Sequence, residues 1–204
     1  MSGQHQGERS VSRARWQTIV AVAVLAYCPL AVAQSDPARA AFDKEDYATA
    51  YKLYKPAANQ GTAEAKYRVA LMHKFGWGTD RDHAAAARLF RAAAEQSHAE
   101  AQSELAIYYK DGRGVERDMA QAAAWFLKAS EQGVGIAQLN LGRFYLAGTG
   151  VEKDAVTAYY WLTVAAFNGY IDGMALRVPA AKEMTPEQMK ETEARAKQVK
   201  RKPG

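Results

Sequence analysis

Small and apolar residues recur every 36 residues along most of this 204-residue chain. One column of the repeat holds only alanine, a second holds valine or leucine, and a third holds bulky apolar side chains. The columns are Ala65/Ala101/Ala137, Val69/Leu105/Leu141 and Tyr54/Phe90/Phe126/Leu162. A fixed period of this length is typical of proteins built from stacked structural units. The sequence therefore predicts a repeat protein.

Each unit is predicted to contain two helices. In the first full copy, one helix covers about residues 62–75 and the other about residues 83–95. The second helix carries Ala86, Leu89, Phe90 and Ala93 at positions i, i+3, i+4 and i+7, which places them on one apolar face. Every unit is thus expected to be a helical hairpin.

Two glycines and one aspartate recur between the two predicted helices of each unit. A residue just past a helix end often adopts a positive φ, which glycine tolerates because it has no side chain to clash. An aspartate just before a helix accepts hydrogen bonds from its first free N–H groups. We predict that the turns and caps are formed by Gly76, Gly78 and Asp82; by Gly112, Gly114 and Asp118; and by Gly148, Gly150 and Asp154.

A hairpin of this kind cannot bury its apolar faces alone, whereas stacked hairpins bury them against each other. The sequence therefore predicts an all-α solenoid of antiparallel helix pairs, with about three full repeats over residues 62–181. Residues 38–61 match only the second half of a unit, and residues 34–61 are expected to form an N-terminal helical cap. Residues 182–204 are expected to form a capping helix, which begins at Thr185 and Pro186, and a basic tail.

The spacing of these columns resembles the Sel-one-like repeat (SLR), a relative of the tetratricopeptide repeat. The resemblance covers about residues 38–180 and implies a right-handed α-solenoid. It includes the copy from 137 to 169, whereas Thr79 and Leu89 depart from the pattern in the copy from 65 to 97. It is clearest in one copy, through Ala101, Gln102, Leu105, Ala106, Tyr109, Gly112, Gly114, Val115, Asp118, Ala122, Trp125, Phe126, Ala129, Gln132 and Gly133.

Residues 1–33 are predicted to be a secretory signal peptide. Three arginines precede an apolar run from Thr18 to Ala33, which ends in the small-residue pattern of a cleavage site. Cleavage after Ala33 would give a periplasmic or secreted protein and remove Cys28, the only cysteine. A lipoprotein site ending at Cys28 fits less well because Tyr27 is bulky. The run of 16 residues is shorter than the roughly 20 that span a bilayer, and an uncleaved membrane anchor is the alternative.

The formal net charge of +5 comes from the two ends of the chain. Residues 34–181 carry 17 basic and 17 acidic side chains, so this part of the chain is neutral overall. Nucleic-acid binding relies on a concentrated positive field. The charge distribution therefore argues against a nucleic-acid partner.

No residue pattern indicates catalysis, a cofactor or a metal ion. His73 occupies a column of large packing residues, and His98 stands at a predicted helix start. The glycine pairs follow helices, whereas a dinucleotide-binding loop follows a strand. The chain also lacks the H-E-x-x-H and G-x-S-x-G motifs. We therefore predict no catalytic, cofactor-binding or metal-binding residue.

Columns that differ between copies indicate where a partner could bind, because the constant columns are occupied in holding the fold. On each first helix the variable positions are spaced i, i+4, i+7 and i+8 and form one stripe. By similarity to tetratricopeptide repeats, this stripe would face a concave groove, where exposed Leu71, Ile107 and Leu139 would form an apolar patch. A purely solvated stripe is the alternative. The predicted partner-binding residues are Tyr67, Leu71, Lys74, Phe75, Ser103, Ile107, Lys110, Leu139 and Arg143.

These features predict an exported, non-enzymatic scaffold that holds a protein or peptide partner in the groove of the repeat array. We expect it to act in a bacterial envelope, secretion or regulatory assembly. One alternative is a membrane-tethered regulator that keeps residues 18–33 as an anchor. The other is a hydrolase whose catalytic site carries no recognisable motif.

Overall fold

The computed structural model describes residues 36–199, which contain ten α-helices and no strand. All ten lie in the compact unit that begins at Pro37. No helix within the described range has the length and apolar character needed to cross a lipid bilayer. The all-α prediction is confirmed. The helices are α1 (Pro37–Asp43), α2 (Tyr47–Asn59), α3 (Ala63–Phe75), α4 (His83–Ala94), α5 (Ala99–Asp111), α6 (Met119–Glu131), α7 (Gly135–Ala147), α8 (Ala155–Phe167), α9 (Asp172–Ala181) and α10 (Pro186–Lys197).

The helix pairs α3/α4, α5/α6 and α7/α8 follow one another, and each helix packs against its neighbours in the chain. The columns that were predicted to hold the fold form the core between the helices. None of their side chains is more than 4% exposed. The buried columns are Ala65, Ala101 and Ala137; Val69, Leu105 and Leu141; Ala86, Ala122 and Ala158; and Tyr54, Phe90, Phe126 and Leu162. The α-solenoid with a 36-residue period is therefore confirmed.

The turn of each hairpin has the predicted chemistry. The first glycine of each pair ends the first helix in the left-handed conformation, with φ of 77°, 69° and 66° at Gly76, Gly112 and Gly148. The aspartate that follows caps the second helix. Asp82 Oδ1 accepts the N–H of Ala85 at 2.9 Å. Equivalent caps form at Asp118, from the N–H of Gln121, and at Asp154, from the N–H groups of Val156 and Thr157.

The second glycine of each pair has a role that the sequence did not reveal. It has positive φ and also lies directly against the first residue of the second helix in the preceding unit. A Cβ atom added at Gly114 would lie 2.3 Å from the carbonyl oxygen of His83. Gly78 and Gly150 approach Tyr47 and Met119 in the same way. Only a residue without a side chain permits this contact between units.

Buried glutamines connect neighbouring units through hydrogen bonds. The side chain of Gln138 is fully buried and donates through Nε2 to the carbonyl oxygen of Ser130 at 3.1 Å. Its Oε1 accepts a hydrogen bond from Asn168 Nδ2 at 2.7 Å. Gln102 makes the equivalent bonds one unit earlier, with Ala94 and Gln132. A buried amide is stable here because both ends are paired.

Different structures close the two ends of the array. At the N-terminal end, Asp46 caps α2 by accepting the N–H of Thr49. At the C-terminal end, Thr185 and Gln188 form the predicted capping box of α10. Helix α10 packs against α8. The predicted signal peptide, with its cleavage site after Ala33, and the basic tail from Lys200 lie outside the described residues.

Candidate partner-binding surface

Seven of the nine residues predicted to bind a partner are at least partly exposed. They lie on the first helices of three successive units, and Phe75 and Arg143 are the most exposed. We refer to these seven residues as the first-helix stripe. It consists of Tyr67, Leu71, Lys74 and Phe75 on α3, Ile107 and Lys110 on α5, and Arg143 on α7.

Ser103 and Leu139 are buried, so the expectation that Leu139 belongs to an exposed apolar patch is wrong. Leu139 is 4% exposed and packs with Leu162 and with Leu176 of α9, because α9 lies against both α7 and α8. Ser103 is 3% exposed, and its hydroxyl has no hydrogen-bond partner among residues 36–199. Variation between copies does not distinguish an exposed position from one whose packing neighbour also varies.

Tyr67 connects α3 to the start of α5. Its ring centroid is 4.6 Å from that of His98. Burial, with the nearby carboxylates of Glu104 and Glu100, raises the pKa of Tyr67 to about 12. The hydroxyl therefore stays protonated and can donate a hydrogen bond to a ligand.

His98 is the N-cap of α5, as the sequence predicted. Its Nδ1 accepts the N–H of Ala101 at 3.3 Å, so its Nε2 carries the proton and donates to Glu64 at 3.0 Å. Burial alone would raise the pKa of Glu64, but hydrogen bonds from His98 and Arg68 outweigh burial and lower it. These contacts fix the starts of α3 and α5 relative to each other.

An ion pair crosses the stripe between α3 and α5. Lys74 Nζ lies 2.8 and 2.7 Å from the two carboxylate oxygens of Glu104. The two side chains are only 17% and 19% exposed. Lys74 Nζ also lies 4.9 Å from the ring centroid of Phe75. Because the charges cancel, this part of the stripe presents mainly the apolar surface of Leu71 and Phe75.

An aromatic cluster extends the stripe beyond the end of α3. Phe75 stacks on Trp77 with ring centroids 4.5 Å apart, and Trp77 stacks on Tyr47 at 4.9 Å. Sequence reasoning did not include Trp77. The signal was present, since Trp77 stands where the other copies have Arg113 and Thr149, but this column lies in the turn, outside the helical columns that predicted the stripe.

The stripe becomes basic between α5 and α7. Lys110 Nζ and Arg113 share one carboxylate, that of Asp111, at 3.6 and 2.9 Å. Arg143 is exposed, and no carboxylate within residues 36–199 forms an ion pair with it. The charges on this part of the surface are therefore not balanced.

The described residues contain no group of three or more His, Cys, Asp or Glu side chains placed to hold a metal ion. His73 packs edge-on against Tyr51, with Nε2 3.4 Å from the tyrosine hydroxyl. This contact agrees with the predicted packing role of the His73 column.

Stacked helical hairpins with a variable, partly exposed stripe define an α-helical repeat protein of the solenoid class. Sel1 repeats match the chain at residues 42–62, 63–98, 99–134 and 135–170. These four matches cover well over half of the chain, which therefore belongs to the Sel1 repeat family. The first match falls in the region that the sequence predicted to be an N-terminal cap.

Several solved structures are similar to this chain, and two of them show the likeness. One is a protective antigen present in uropathogenic Escherichia coli strains that displays an SLR fold, with 32% identity and a TM-score of 0.63. That match covers 76% of this chain but only 36% of the antigen, so the chain spans about a third of its length. The other is a Sel1 repeat protein from Oxalobacter formigenes, with 33% identity, a TM-score of 0.57, and coverage of 61% and 93%. No curated protein matches the chain significantly.

Proposed function

We propose that this protein is an exported scaffold that binds a protein or peptide partner along the first-helix stripe. Sel1 repeats generally mediate protein–protein interactions, and the family supplies a scaffold fold. The stripe is the part of this fold that suits a specific partner, because its residues differ between units while the core columns are constant. A bacterial envelope, secretion or regulatory assembly is the setting we propose.

The observation that carries the proposal is the partial exposure of apolar and aromatic side chains beside charged ones. Phe75 is 42% exposed and continues into the stacked Trp77. Leu71 and Ile107 are partly exposed on adjacent first helices. Interfaces typically combine such aromatic and aliphatic anchors with a polar rim.

Site-specific photocrosslinking in the native cell tests the location of the interface. A photoreactive phenylalanine is placed at Ile107 on the stripe or, as the matched control, at the exposed Arg88 on the second helix α4. A discrete adduct is expected from position 107 and not from position 88. Equal labelling from both positions, with unchanged thermal unfolding, would refute a binding surface on the first helices.

Export rests on residues 1–33 and is tested separately. The expected mass of the protein recovered from the cell envelope or medium corresponds to a chain that begins at Gln34. A recovered chain that retains Thr18 to Ala33 and fractionates with membranes would instead support the tethered regulator.

A further inference from the structure

Corresponding positions of successive units differ in one charge on the stripe. Between α3 and α5, Lys74 is neutralised by Glu104 across the two helices. The residues 36 positions later are Lys110 on α5 and Asn140 on α7. The lysine is retained, but the carboxylate that would face it is replaced by a neutral amide.

Asn140 does not compensate for the missing carboxylate. It is 8% exposed, and its Nδ2 donates to the carbonyl oxygen of Ile136 in its own helix at 2.8 Å. The carboxylate that pairs with Lys110 is that of Asp111, which also pairs with Arg113. Arg143, on the same helix as Asn140, is exposed and adds a further cation.

Lys110 and Arg113 thus share one carboxylate, and Arg143 adds a third positive charge that no carboxylate among residues 36–199 pairs with. This local surplus of two positive charges lies in a chain region, residues 34–181, whose charges sum to zero. A site with a local charge surplus favours a ligand of opposite charge. Binding to an anionic membrane typically needs a cluster of about four to eight basic residues, which this surface lacks.

We propose that the partner places an aspartate or glutamate side chain between α5 and α7, where it takes the place that Glu104 occupies between α3 and α5. An apolar residue of the same peptide lies beside it, on Leu71 and Ile107. This assignment rests on the proposed function, because it names the chemistry of a partner bound to the first-helix stripe. The carboxylate pairs with Lys110 and Arg143.

Selection from a random dodecapeptide library displayed on phage tests the assignment without knowledge of the partner. Peptides selected on the wild-type chain are expected to be enriched in Asp or Glu next to an aliphatic or aromatic residue. Selection on the Asn140→Glu variant, which restores the carboxylate within the protein, is expected to lose the acidic enrichment. The Arg88→Gln variant removes a positive charge from a second helix. Peptides selected on this variant are expected to remain enriched in acidic residues.

The strongest selected peptide is then measured by fluorescence anisotropy. Arg143→Gln is expected to weaken binding roughly five- to tenfold, because a charge-assisted hydrogen bond is lost on the bound surface. Changing the acidic residue of the peptide to its amide should weaken binding to the wild type by a similar factor. The same change should have little further effect on binding to the Arg143→Gln variant, which already lacks the partner of that carboxylate. Arg88→Gln should bind as the wild type does.

The outcomes separate this inference from the proposed function. If the selected peptides lose affinity when Ile107 is substituted but show no preference for acidic residues, the carboxylate assignment is wrong and the binding surface stands. Selected peptides that are unaffected by changes at both Ile107 and Arg143 would refute the binding surface itself. Stronger binding to vesicles containing phosphatidylglycerol than to any selected peptide would also overturn the assignment.

Discussion

The close contact between Gly114 and the start of α4 makes the sharpest prediction about stability. The change Gly114→Ala places a Cβ atom 2.3 Å from the carbonyl oxygen of His83, which is more than 1 Å inside the ordinary contact range of 3.4–4 Å. Because both atoms belong to the backbone framework, neither can move away by a change of rotamer. The turn must therefore move away from the preceding unit.

Two contributions set the size of the effect. Alanine at the positive φ of Gly114, 65°, costs about 1–2 kcal/mol in the folded state. Steric overlap that forces the backbone apart adds about 1–3 kcal/mol. We expect Gly114→Ala to lower the free energy of unfolding by a total of about 2–5 kcal/mol.

Gly112→Ala is the matched control for this measurement. Gly112 has nearly the same φ, 69°, but its added Cβ would lie 3.3 Å from Arg117 Cβ and at ordinary contact distances, 3.7 and 3.8 Å, from the backbone of Arg117. We expect it to cost about 1–2 kcal/mol, from backbone strain alone.

Urea denaturation followed by circular dichroism gives both free energies, and analytical ultracentrifugation confirms that the variants remain in the same association state. Tryptophan fluorescence followed in the same titrations shows whether the repeats on the two sides of Gly114 unfold together, because coincident transitions indicate a single two-state step. Equal losses for Gly112→Ala and Gly114→Ala would refute the role of the contact between units.

Two further predictions concern polar groups. Gln138→Ala removes the side-chain donor to the carbonyl oxygen of Ser130, which keeps the N–H of Gly133. It also leaves Asn168 Nδ2 without its acceptor and opens a cavity, so we expect a loss of about 2–3 kcal/mol in the free energy of unfolding. Thermal unfolding measures this loss, and an unchanged midpoint would contradict it. Burial would raise the pKa of Asp154, but hydrogen bonds from Thr157 and the N–H of Val156 outweigh it and lower the pKa. The Asp154 cap therefore stabilises the fold above the usual pKa of aspartate, about 3.9, and the stabilisation is lost as the pH falls through the lower folded value. Asp154→Ala should lower the free energy of unfolding by about 1 kcal/mol at pH 7. The difference in stability between this variant and the wild type should shrink in thermal unfolding below about pH 4. A difference that stays constant with pH would contradict the assignment of the cap.

The sequence by itself was sufficient for the repeat and for the local structure within each unit. Columns such as Ala101 and Phe126 had to be apolar in every copy because they are buried in every copy. Gly112 and Asp118 could be assigned to a helix end and a cap because a positive φ and a free N–H group select particular residue types at neighbouring positions. These are short-range requirements, and each leaves its own pattern in the chain.

Only the tertiary structure decided which variable positions are exposed. Leu139 and Ile107 are both in variable columns. Leu139 is buried because α9 packs over it, whereas Ile107 on α5 is partly exposed. The aromatic cluster around Trp77, the Lys74–Glu104 ion pair and the contact of Gly114 with His83 likewise join residues of different helices. The physical reason is that these contacts depend on how successive helices are placed against each other. The period of the sequence specifies that helices stack, but not which side chains meet between them.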